Sequence, residues 1–164
     1  MQRIMIMAIL MTGLFFFGAG QVRAQGDCNS LPELVDRRDC WVKKAKSGDK
    51  YLSEAILSGV DLSKVNLNEA NLKRANLREM NLSGANLSGA DLTSASLSGA
   101  NLNGANLNDA FLKYAFLSEA DLSGANLSGA NFRNSDLSEA VVSRSTTKGV
   151  NFDDWKKRGG IVTD

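Results

Sequence analysis

From Leu52 to Val142 every fifth residue is large and apolar, 19 positions of which 17 are leucine and the others Phe132 and Val142. A period of five suits neither regular element. On an α-helix, successive leucines would stand about 140° apart and spiral round the rod rather than form a stripe. On a straight strand, an odd period sends them to alternate faces. Within a pentad, however, a small residue usually stands two before the leucine, as at Ala55, Ala70, Ala85, Ala100 and Ala125, and residues two apart share a face. Each pentad therefore reads as a short extended segment with both residues inward, followed by a corner that resets the parity. Ser-Gly, Ser-Glu or Asn-Gly often follows the leucine, and glycine adopts left-handed dihedrals without steric cost. The chain is expected to turn once per pentad and coil round a filled interior.

Finer similarity sets the number of pentads per coil. The stretches 82–90, 102–110 and 122–130 read LSGANLSGA, LNGANLNDA and LSGANLSGA, a spacing of 20. Asn66, Asn86, Asn106 and Asn126 share that spacing, and stacked like on like they would form an asparagine ladder. Four pentads per coil are favoured over three. The tandem A(D/N)LXX pattern over 50–144 resembles the pentapeptide-repeat family, whose fold is a right-handed quadrilateral β-helix. The resemblance implies an all-β solenoid of nearly five coils, a stub roughly 24 Å long at about 4.8 Å per coil. Val60, Val65 and Met80 depart from the family by filling the alanine slot, which implies a locally adjusted first end.

Solenoid ends expose apolar interior and strand edges and need covers. Ser30-Leu31-Pro32-Glu33 has capping-box spacing, and Leu31, Leu34, Val35, Trp41, Val42 and Ala45 follow helical periodicity. Residues 31–46 are read as a helical lid within an N-terminal cap, 25–49. Beyond the repeats, in 145–164, a loop at Ser145–Gly149 leads to Val150-Asn151-Phe152, which resembles one more pentad. Asp153 is expected to cap a short helix carrying Trp155, stopped by Gly159-Gly160. Trp41 and Trp155 are read as lid anchors rather than binding residues.

Residues 1–24 read as a secretory signal peptide. Arg3 gives a positive start, Ile4 to Gly20 is apolar, and Val22-Arg23-Ala24 supplies small residues for cleavage after Ala24. The product is expected to be periplasmic or extracellular, with no stable membrane insertion after cleavage. The remaining 140 residues carry 17 basic and 18 acidic groups, a net charge of −1. In an oxidising compartment, Cys28 and Cys40 are most simply a disulfide, with free or intermolecular thiols as alternatives. One unbroken helix over 31–40 would hold the two cysteines beyond bridging distance. Either Cys28 folds back, or the helix breaks near Arg37-Arg38-Asp39.

Catalysis is poorly supported. The chain has no histidine, so the commonest general base and metal ligand is missing, and two cysteines alone do not make a zinc site. Its serines fill corners without a neighbouring base. No cofactor or metal is expected. The best-known branch of the family acts on DNA gyrase by resembling acidic duplex DNA. Residues 50–144 hold 8 basic and 10 acidic groups, a net charge of −2, too weak a field for that role or for binding nucleic acid.

Surface recognition is what remains. The slot before the central leucine points outward and prefers Asn or Asp, yet two consecutive pentads place Phe111 and Phe116 there, with Tyr114 at the corner between them. At 20 residues per coil, Lys73, Lys113 and Arg133 fall in one column beside Arg74 and Tyr114. Exposed aromatics interrupting a small, polar surface mark a contact site, here for a protein or an envelope polymer whose sugars could stack on the rings. The plainer alternative is that they cover a coil edge or pack under 145–164. Two further readings are kept: a spacer forming a homodimer through Phe152, Trp155, Ile161 and Val162, and a cytoplasmic gyrase-type regulator, which would require the signal peptide to be misread.

Overall fold

The computed structural model describes residues 28–31, 34–144 and 147–164. From Tyr51 to Asp121, each outward-slot residue pairs in parallel with the residue 20 positions later: Tyr51 with Asn71, Ile56 with Asn76, Asp61 with Asn81, Asn66 with Asn86. Four pentads thus close one coil, and the chain is the right-handed quadrilateral β-helix expected of it. The repeat leucines are buried throughout, together with most of the alanine slots. Burying each leucine is worth about 1.5–3 kcal/mol, realised only when the coils above and below are in place.

The pentad 81–85 shows why the sequence pattern takes this shape, because all five of its N–H groups have acceptors. Asn81 donates to Val60 O in the coil before, while Leu82 and Gly84 donate to Asn101 O and Asn103 O in the coil after. Ala85 closes the corner on Leu82 O at 3.0 Å. The fifth N–H, on Ser83, cannot reach a neighbouring coil and donates to the Asn81 side-chain oxygen at 3.1 Å. An Asn or Asp before the leucine is therefore the acceptor that completes the corner, a local side chain–backbone turn. On one face these amides also bond each other. Asn86 donates to Asn66, Asn106 to Asn86 and Asn126 to Asn106, at 3.1, 3.3 and 3.2 Å.

Glycine is not required at the corners. The second corner residue is left-handed whether it is Gly84 at φ +64° or Glu54, Lys64 and Tyr114 at +60°, +59° and +58°. Val60 and Met80 both lie buried in the column of Ala100 and Ala120, so the first end stacks bulk on bulk.

The N-terminal lid comprises a 3₁₀ turn, Cys28–Ser30, and helix α1, Leu34–Lys46. Gly48, at φ +74°, ends the helix as the left-handed residue that follows its last turn. Trp41 and Ala45 join the same buried cluster as the first-coil leucines. The helix does not break near Arg37-Arg38-Asp39. Cys28 folds back instead and is bridged to Cys40 with the Cα atoms 5.6 Å apart. The capping pair with Glu33 and the segment 1–24 fall outside the described residues.

The far end differs from the expected extra pentad. Lys148 bridges Asn126, but Phe152 opens helix α2, Phe152–Lys157, and its cap is Asn151, whose side chain accepts from Asp153 N and Asp154 N. Asp153 thus receives the cap rather than providing it. The 20-residue register resumes later, where Ile161–Thr163 (β2) pairs in parallel with Val141–Ser143 (β1), Val141 opposite Ile161. Trp155 is buried, donates to Ala140 O at 3.0 Å and meets Phe132 edge-on at 5.6 Å. Arg158 reaches across to Phe132 O and Ser135 O, both at 2.8 Å, so two carbonyls of the last coil gain a charged donor. Both tryptophans thus serve as lid anchors.

Candidate binding edge

Phe111 and Phe116 occupy outward slots on adjacent faces of the fourth coil, and Tyr114 stands at the corner joining them. All three are open to solvent, at 48%, 53% and 53% exposure. They are not covered by 145–164, and they wrap an edge rather than lie on one flat side. Phe111 and Phe116 depart from the local rule that completes a pentad corner, and Tyr114 adds a ring at the left-handed corner position. Phe111 and Phe116 cannot accept a hydrogen bond, so among the described residues the corner N–H groups of Lys113 and Ser118 have no acceptor like those at Ser83 or Ser88. Tyr114 holds a bulky side chain at φ +58°, a conformation that costs an ordinary L-residue about 1 kcal/mol.

The basic column is present but largely compensated. Lys73, Lys113 and Arg133 stack along the edge beside Arg74 and Tyr114, as the 20-residue register requires. Lys73 Nζ lies 3.0 Å from the Asp91 carboxylate, and Arg74 lies 3.7 Å from Glu54. Partial burial works against ionisation of Asp91, but the Thr93 hydroxyl, the Lys73 ammonium and the Thr93 N–H outweigh it and hold its carboxyl below the ordinary aspartate range. Among the described residues, Lys113 and Arg133 form no ion pair with a carboxylate. The strip expected to be a run of positive charge is therefore two neutral pairs below and two unpaired cations above.

One member of this edge was missed. Tyr51 is 66% exposed and pairs through Asn71 and Asp91 to the Phe111 column. The rule that singles out Phe111, an aromatic in the outward slot, applies equally to Tyr51, so the signal was present in the sequence. The residues read as a C-terminal homodimer contact differ in exposure. Trp155 is buried within its own chain at 3% exposure, Phe152 and Val162 are half-buried, and Ile161 is 46% exposed.

Among the described residues no cluster of His, Cys, Asp and Glu is arranged to hold a metal, and no helix is long and apolar enough to cross a membrane. A family model described as pentapeptide repeats matches residues 51–84, 70–109, 100–139 and 115–154. Comparison with curated proteins gives no match. Among solved structures, the chain is similar to a pentapeptide repeat protein from the cyanobacterium Cyanothece 51142, at 38% identity and TM-score 0.57, covering 58% of this chain and 65% of that one. It thus spans somewhat less than two thirds of that relative's length. A pentapeptide repeat protein of the Arabidopsis thaliana thylakoid lumen is 33% identical, with TM-score 0.46, covering 60% and 70% of the two chains. A plasmid-mediated fluoroquinolone resistance protein is 20% identical, with TM-score 0.34, covering 70% of each.

Proposed function

The chain belongs to the pentapeptide-repeat family, and from that premise we propose that it is a non-enzymatic, exported binding module whose aromatic edge contacts a protein or an envelope polymer. The carrying observation is the cluster of Phe111, Tyr114 and Phe116. Three bulky rings stand in solvent at positions where asparagine or glycine would give a better corner. Sites that sacrifice stability in this way are characteristically functional. Export is supported by the signal-peptide pattern of residues 1–24 and by the Cys28–Cys40 bond, which persists in an oxidising compartment.

The other readings have less behind them. A homodimer through the C-terminal cap would rest chiefly on Ile161, far below the apolar area of a stable interface. A DNA-mimic regulator needs a dense negative field, whereas the column carries a net charge of −2. The likeness to the fluoroquinolone resistance protein extends to the fold alone.

Replacing Phe111, Tyr114 and Phe116 together by Asn tests the proposal with two readouts. The variant should melt no lower than the natural chain, because the amides at 111 and 116 each regain a corner hydrogen bond worth about 0.5–1.5 kcal/mol. It should also lose the envelope component that the natural chain retains in pull-down. Retention of that component by a folded variant would sink the assignment.

A further inference from the structure

The face that carries Phe116 separates two corners of opposite charge. On the side shared with Phe111, the corner holds Lys113 in the fourth coil and Arg133 in the fifth. On the far side, the corner holds Glu119 and Glu139 at the same two levels. Among the described residues none of these four takes part in an ion pair. The third coil is uncharged at both corners, with Thr93 and Ser94 on one and Ser98 and Gly99 on the other. The second is mixed, with Glu79 across from Lys73 and Arg74 but Arg78 beside it. At the first coil both signs reverse together. Glu54 stands on the first corner, and Arg38 reaches the second, where it donates to Ser58 O at 2.9 Å. Solvation alone gives no reason for two corners to stay in antiphase.

We propose that this face docks on the same face of a second copy of the chain, about a two-fold axis parallel to the column. Such an axis sets each outward residue of the face against its own copy and exchanges the two corners. Lys113 then meets the partner's Glu119, and Arg133 meets the partner's Glu139. Phe116, 53% exposed, lies against its counterpart at the centre. A uniform polyanion would be repelled by the glutamate corner, and a uniform polycation by the lysine–arginine corner. The face fits a partner that carries both signs in the opposite order, and a second copy turned about this axis carries them so. One rung opposes the pairing, because Asp136 meets the partner's Asp136. Its carboxylate is drawn onto its own corner by the Ser138 hydroxyl at 2.7 Å and the Ser138 N–H at 3.0 Å, which reduces the repulsion without removing it. Five rungs span about 19 Å, a small contact beside a standard interface, so the dimer is a weak one. The inference goes beyond the proposed envelope contact and does not rest on it, since Phe111 lies on the adjacent face.

Sedimentation equilibrium of the purified chain from about 10 to 500 µM should show a reversible monomer–dimer transition that weakens as salt rises. Two double variants reverse one corner each. Glu119→Lys with Glu139→Lys makes both corners basic at these levels, and Lys113→Glu with Arg133→Glu makes both acidic. Each alone should bind itself at least about tenfold more weakly than the natural chain. Their equimolar mixture should form a heterodimer about as tight as the natural dimer, because every facing pair is again of opposite sign. Asp136→Asn keeps the acceptor for Ser138 and should tighten the dimer at least about threefold. A natural chain that stays monomeric at about 500 µM overturns the inference. So does a dimer that both double variants leave intact, the result expected of an end-on contact. Two variants that melt like the natural chain yet fail to associate when mixed overturn it as well, and unchanged or looser binding by Asp136→Asn would place the contact elsewhere. Neither double variant touches a ring, so these results are separable from the fate of the envelope component in the triple Asn variant.

Discussion

At the scale of single residues, the pentad is an exercise in accounting for five N–H groups. Three reach the neighbouring coils and one closes the corner, as in 81–85. The last depends on the Asn or Asp before the leucine, as at Asn81, Asn86 and Asp91. This explains a preference that is plain in the sequence but has no meaning until the corner is seen. It also turns Phe111, Phe116 and Tyr114 from unusual residues into costly ones. Tyr114→Gly should stabilise the fold by about 1 kcal/mol, since glycine takes φ +58° freely. Denaturant unfolding would read this as a higher midpoint at an unchanged slope. A lower midpoint would mean that the ring contributes packing that offsets its strain, and the corner could no longer be called strained.

At the scale of elements, each end of the column is closed by a helix with a buried tryptophan. The N-terminal helix is tied down by the Cys28–Cys40 bridge and by Arg38, which donates to Ser58 O at 2.9 Å. The C-terminal helix is seated by Trp155, and Gly160 makes room for it: a Cβ at that position would collide with the indole ring. Gly160→Ala should therefore cost about 1–3 kcal/mol by displacing Trp155 from Phe132 and Ala140, seen as a lower melting temperature and a red-shifted tryptophan emission. An unshifted emission would show that the ring keeps its seat and that this account of Gly160 is wrong. The sequence carried the existence of both lids through apolar periodicity and glycine stops. It put the cap of the second two residues late, at Asp153 rather than Asn151, because Val150-Asn151-Phe152 imitates a pentad. Only the backbone shows Asn151 acting as a helix cap and the register returning at Ile161.

At the scale of the whole molecule, a straight column capped at both ends presents its four faces unequally. One face carries an asparagine ladder, while the aromatic rings wrap the edge between the neighbouring face, which holds Phe111, and the opposite face, which holds Phe116. The proposal of export belongs to this scale. Protein recovered from the host's periplasmic or extracellular fraction should have the mass of residues 25–164 less two hydrogens. A full-length cytoplasmic species with both thiols free would remove export and reopen the intracellular reading. The five-residue phase determined the solenoid and the leucine interior, because a strict period admits few ways to bury one apolar residue in five, and the finer similarity at a spacing of 20 determined the coil and the asparagine ladder. The same register located the aromatics, and applied evenly it would have added Tyr51. Tertiary structure alone decided the rest. Charge pairing depends on which side chains reach each other between coils, so Lys73 and Arg74 are compensated while Lys113 and Arg133 are not. Cys28 meets Cys40 because the chain folds back ahead of an intact helix. The rings stay open because the last segment covers the end of the column and leaves its edge bare, a choice of path that no repeat encodes.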